Sequence, residues 1–140
     1  MAFDFVNGDR VLVRLPVDSS SADIKVGDAI TSEGATAGFY IKVDGTSDVI
    51  CGIAQEIVSS PAADGDVSVL VNTSENAFYR VKAGNGTLVE GMKMESCDIH
   101  SDGVSIDVTA SDTDNILIHD VRLSDATALV SIVMSFTGVA

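Results

Sequence analysis

Tryptophan is absent from this 140-residue chain, aromatic residues make up only 5% of it, and prolines number 2. A core must therefore come from Val, Ile, Leu and Ala, and the β-branched members of that set favour a pleated, half-buried surface. Basic residues are scarce as well: 8 Lys and Arg stand against 21 Asp and Glu, a formal charge of −13. That balance repels phosphate backbones and anionic lipid, so neither nucleic acid nor a membrane surface is an expected partner. No apolar stretch approaches the ~20 residues a helix needs to cross a bilayer. The N-terminus, Met1-Ala-Phe-Asp-Phe-Val-Asn-Gly-Asp-Arg, lacks the basic region and apolar run of a signal peptide. Cys51 and Cys97 are the only cysteines. Without an export signal they are expected to be buried, reduced thiols in a protein made in a cytosol.

A hydrophobic fraction of 46% supports a packed core, and the length suits one domain. Convincing helical periodicity is missing, whereas strand signals recur at short intervals between Gly, Asp, Asn and Ser. Val11, Val13 and Leu15 alternate with Leu12 and Arg14 until Pro16; Phe39, Ile41 and Val43 alternate before Asp44-Gly45; Val67, Val69 and Val71 follow the turn Ala63-Asp64-Gly65-Asp66. Further strands are expected at 78–82, 104–108, 116–123 and 128–136, the last with Val130, Ile132, Met134 and Phe136 on one face. Residues 50–58 have some helical spacing, but the internal Gly52 favours a long, kinked strand. The pattern predicts an all-β fold, a compact barrel or sandwich of short strands.

The chain also repeats itself. Lys25-Val-Gly-Asp-Ala-Ile-Thr-Ser-Glu-Gly34 is echoed by Lys82-Ala-Gly-Asn-Gly-Thr-Leu-Val-Glu-Gly91. Each copy precedes an alternating strand (39–43 and 104–108) and then a longer apolar one, Asp48-Val-Ile-Cys-Gly-Ile-Ala and Asn115-Ile-Leu-Ile-His-Asp-Val. Two approximate half-repeats, about 25–72 and 82–136, are expected inside a single β domain spanning 11–140, preceded by an arm at 1–10. In the arm, Phe3 and Phe5 alternate against Ala2 and Asp4. It is either an edge strand tucked onto the domain or an extension that pairs with a partner. The polar stretch 18–23 is expected to be a loop with little to bury.

Motifs that carry chemistry are sparse. Asp112 and Asp114 satisfy only the opening of a calcium loop, and with Asp98, Asp102 and Asp107 they are expected to be turn residues. Cys97 and His100 supply two zinc ligands where a structural site needs four, with only Cys51 and His119 left to complete it. No nucleophile elbow or Gly-rich phosphate loop is present, and His119 alternates with Leu117 and Val121 as a partly buried strand histidine. Nothing in the sequence indicates an enzyme, a metal or a cofactor.

The sharpest local pattern is Glu90-Gly-Met92-Lys93-Met94-Glu95. It resembles the attachment site of biotinyl carrier domains, where a lysine between two methionines on an exposed hairpin tip receives biotin; by that resemblance Lys93 would be modified. Without it, Met92 and Met94 would alternate into the core while Lys93 and Glu95 face water.

Over about the middle half of the chain, Val26-Gly-Asp-Ala-Ile-Thr31, Asp48-Val-Ile-Cys-Gly52-Ile-Ala54 and Ala63-Asp-Gly-Asp-Val-Ser-Val69 resemble the head decoration, or capsid cement, proteins of tailed bacteriophages. The resemblance implies a helix-poor structural protein, often trimeric, on the outer surface of an expanded capsid, with the major capsid protein lattice as partner. It also implies an N-terminal arm that adds a strand to a capsid sheet. Here Phe3 and Phe5 would be its apolar anchors, and Arg10 and Arg14 would pair with capsid carboxylates. Another virion β-module, such as a tail or fibre domain, fits the fold equally.

Overall fold

The computed structural model describes residues 2–33, 38–45 and 49–133. The protein is all-β: strands β1 (Asp4–Gly8), β2 (Leu12–Pro16), β3 (Ala29–Ser32), β4 (Tyr40–Lys42), β5 (Gly52–Ala54), β6 (Ser68–Asn72), β7 (Ala77–Asn85), β8 (Ser96–Ile99), β9 (Ile106–Asp107), β10 (Ile116–Arg122) and β11 (Thr127–Ile132), with one 3-10 turn at Glu90–Met92. Gly34 of the first repeat, Asp48, and Met134 and Phe136 lie outside the described residues.

The strands form two sheets. The second half of the chain gives the order β7-β11-β10-β8-β9, closed into a barrel by parallel pairing of β9 with β7. The first half gives β2-β6-β5-β3-β4, whose ends meet at a single parallel bridge, Val17 to Tyr40. Numbered within each half, both rings run first, fifth, fourth, second, third, and both join third to first in parallel. Their registers coincide too. Val13 faces Val71 as Tyr79 faces Val130. Ile30 faces Gly52 as Cys97 faces Ile116, and Ala54 faces Val71 as Ile118 faces Val130. Ser32 faces Tyr40 as Ile99 faces Ile106, and the closures equate Val17 with Ala83.

The equivalence extends to packing. Val17, Ile30, Ala54, Val69 and Val71 fill the first ring. Their counterparts Ala83, Cys97, Ile118, Ala128 and Val130 pack in the second. The cluster around the second ring also takes in Ala29, Val43, Ile50 and Ile53 from the first, so the larger apolar cluster joins the two halves while the first ring's interior forms a second one. The Ala29 N–H donates to the Gly103 carbonyl at 2.9 Å across that junction.

The duplication is thus present but set differently from the sequence alignment. The β4/β9 and β5/β10 matches hold, whereas Ala29–Ser32 corresponds to Ser96–Ile99 and not to residues 87–89, which form no strand. Gly84-Asn85 is not a turn; it is the end of β7, carried on to reach β9 through Ala83 and Asn85. A Cβ at Gly84 would lie 2.1 Å from the Ser105 hydroxyl, so glycine permits the close approach that closes the barrel. Two other expectations change. Within 50–58 only Gly52–Ala54 is a strand, with Val58 held by a separate bridge to Ile24. The stretch 18–23 is tied down: Asp18 and Ser21 are buried, and the Asp18 carboxylate accepts from both the Ser20 N–H and its hydroxyl.

Candidate interaction surface

The arm is an edge strand tucked onto its own domain. β1 pairs antiparallel with residues 77–80 of β7, on the edge of β7 away from β11, so that β1 and β9 share that edge end to end. Phe3 is 2% exposed and belongs to the core, its ring meeting Tyr79 edge-on. Phe5 meets the same tyrosine from a second side, centroids 6.0 Å apart. The Arg10 guanidinium lies 4.1 Å over the Phe5 ring, a cation–π contact that lets the arginine cover the aromatic edge of the arm. Burial pushes the Tyr79 phenol up to about 12, against a smaller downward pull from the Asn72 side chain and the Arg10 charge. Arg14 points elsewhere, with its guanidinium 2.8 Å from the Glu56 carboxylate on an exposed face. Phe3, Phe5 and Arg10 are therefore brought together around Tyr79, and Arg14 stands apart on β2.

The residues that remain outward at this end are ones the sequence pattern did not single out. Val11, Leu12 and Val13 are 53%, 48% and 40% exposed, and Val6 on β1 is similarly open. Three consecutive apolar residues ahead of Arg14 were the available signal, because a strand covered on one face alternates. Leu12 and Val13 point to opposite faces of β2 and neither is covered.

Lys93 is not at a hairpin tip. The chain between β7 and β8 is a crossover, since β9 lies between those strands in the barrel. The 3-10 turn Glu90–Met92 leads into Lys93, whose ammonium sits 3.1 Å from Glu90 and 3.3 Å from Asp120. Hydrogen bonds to those carboxylates, Glu90 foremost, hold its pKa above the ordinary lysine value. Met92 packs against the core, but Met94 is 67% exposed with φ +65°, so the two methionines do not alternate inward. Strand alternation fails here because the segment turns.

Of the aspartates expected in turns, Asp98 and Asp107 instead lie buried in β8 and β9, where they, like Asp102, cap backbone. Buried Asp98 accepts from the N–H groups of Asp112, Thr113 and Asp114 at 3.1, 2.8 and 2.8 Å. Asp102 accepts from the N–H groups of Val104 and Ser105, and Asp107 accepts from the Thr109 hydroxyl and N–H. The Thr109 hydroxyl bond is the main cause of the lowered Asp107 pKa. Among the described residues no three His, Cys, Asp or Glu side chains gather as a metal site. Cys51 and Cys97 are buried thiols, and neither is in a disulfide. Burial, reinforced by Asp98, pushes the Cys97 thiol up to about 12. His119 is half-buried, within 2.8 Å of the Ser131 hydroxyl and edge-on to Phe78. It sits where the β10 register shifts, which turns Val121 inward rather than leaving it on the His119 face. No helix among the described residues is long and apolar enough to cross a membrane.

No known family model matches the chain, and no curated protein or solved structure does either.

Proposed function

We propose that this chain is a structural binding module of a virion, a decoration protein that sits on the outer surface of an expanded phage capsid and stabilises it. The observation that carries this proposal is the convergence of the three decoration-like segments. Val26-Gly27-Asp28 leads into β3, Gly52-Ile53-Ala54 is β5 and Asp66-Val67-Ser68-Val69 leads into β6, and these strands are neighbours in the order β6-β5-β3. Sequence likeness scattered along the chain thus belongs to one continuous piece of sheet. The charge of −13 suits copies crowded side by side in water.

In this proposal the protein acts by mass action: binding the expanded lattice and not its precursor stabilises the expanded form. The major capsid protein is the partner, trimers sit around symmetry points, and no cofactor or catalytic step takes part. Phe3 and Phe5 support the body by packing on Tyr79, so the lattice contact moves to the outward apolar residues Val11, Leu12 and Val13 beside Arg10 and Arg14. Co-sedimentation with purified heads tests the proposal. Binding to expanded heads and not to unexpanded shells is expected; binding to neither removes it.

A further inference from the structure

The two rings share strand order and register but differ at one edge. In the second ring, residues 77–80 of β7 carry β1 on the edge away from β11. The equivalent residues of the first ring, 11–14 at the start of β2, pair with β6 on one side, and no described strand pairs with the other side until Val17 meets Tyr40. The hydrogen bonds show which groups are left over. Val11 accepts from Thr73 and Val17 donates to Val67, both on the β6 side, while Asp18 donates to Tyr40 on the far side. Alternation along the strand then aims the N–H and C=O of Leu12 and Arg14 at the open edge.

We infer that the open edge of β2 at 12–14 is a docking site for an extended strand of a partner protein, one that places a carboxylate opposite Arg14 and an aromatic residue opposite Val13. The occupant's chemistry is set by the second ring. There Asp4 faces Arg80 and Phe5 faces Tyr79, and the equivalent positions in the first ring are Arg14 and Val13. Opposite charges directly across an antiparallel pair favour pairing, so the partner's carboxylate would share Arg14 with Glu56, and main-chain hydrogen bonds supply the rest. The apolar side chains that such a strand would cover are the exposed Val11, Leu12 and Val13. Two copies of β2 paired antiparallel about Leu12 would instead bring Arg10 of each against Arg14 of the other, and such a register disfavours a second copy relative to an acidic partner. The inference rests on the ring register and not on the capsid proposal.

The chain's own first strand is the probe. A synthetic peptide Ala2-Phe3-Asp4-Phe5-Val6-Asn7-Gly8-Asp9 is titrated into the intact protein and followed by amide NMR and hydrogen exchange. The expected result is shifts along β2 and slowed exchange at the Leu12 and Arg14 amides. A peptide carrying Asp4→Lys should bind on the order of tenfold more weakly, because a charge-assisted contact is lost. In the protein, Leu12→Pro removes an N–H on the open edge without touching the β6 ladder, and should abolish the shifts while keeping the thermal transition. If that variant does not fold, the Asp4→Lys peptide on the unaltered protein still decides. Absence of binding overturns the inference. So do shifts confined to residues 77–80, which mean exchange with β1, and Leu12 and Arg14 amides already protected without peptide, which mean the edge is already filled.

Discussion

Phe3 meets Tyr79 edge-on, with ring centroids 6.3 Å apart and planes at 87°, so the third residue of the chain helps to close the core of the distant second ring. Both rings are buried, Phe3 to 2% and Tyr79 completely. Phe3→Ala should therefore destabilise the protein by about 3–5 kcal/mol, the usual cost of emptying an aromatic site in a core. A urea titration checks it through a lower midpoint at nearly unchanged slope. Deleting residues 2–7 should cost at least as much, so circular dichroism melts will shift as well as any partner binding.

Gly27 is the seat on which the arm rests. The Phe3 N–H donates to the Gly27 carbonyl at 3.1 Å, Gly27 has φ +93°, and a Cβ there would come 2.8 Å from the Ala2 Cβ and 3.1 Å from the Phe3 carbonyl. Gly27→Ala should cost about 1–3 kcal/mol through backbone strain, before any displacement of the arm. Hydrogen exchange separates the two effects. Exchange at the Phe3 amide should speed up far more than exchange at the Val69 or Val71 amides in the first ring.

Stability should fall on the alkaline side. The folded state pushes the Cys97 thiol from 9.0, and the Tyr79 phenol from 10.0, up to about 12 in each case. Both groups hold their protons longer when folded, so their contribution is complete below the unfolded pKa and is lost as pH climbs through the folded one. Urea midpoints should decline from about pH 9 upward, and Cys97→Ala should flatten the first part of that decline. The same burial predicts that a thiol reagent labels Cys51 and Cys97 only as fast as the protein opens. At the acid end the sign reverses. Asp125 and Asp120 are held below the ordinary carboxylate range, foremost by hydrogen bonds from Arg122 and Lys93 respectively. Their stabilisation is present above about pH 4 and fades as the pH falls through their lowered values.

Alternation made most strands legible. Val69 and Val71, Tyr79 and Val81, and Val130 and Ile132 all face inward as a period of two demands. Duplication was legible too, but its register was not. Gly84-Asn85-Gly86 has turn composition, and only the closeness of Ser105 and His100 explains a glycine near the end of β7. Ser96-Cys-Asp-Ile99 looks too polar for a ring strand, because the sequence does not tell that Asp98 is buried as a cap for three backbone N–H groups. The arm's aromatics were legible as anchors but not their target, since Tyr79 lies far along the chain. The open edge of β2 appears only when the two rings are superposed in register.

The same ring order imposes a schedule on the chain as it is made. In each half the first strand pairs with the fifth, so a ring cannot close until its last strand exists. The first ring becomes completable once residue 72 has emerged, well before the second reaches β11. β1, made before β2 to β11, has no mate until residues 77–80 appear, and Phe3 remains without its place in the core until then. Contacts so distant in sequence make folding slow. During that interval the nascent protein carries an unpaired aromatic strand beside a ring with one open apolar edge, the kind of exposed strand and edge that invites misassembly.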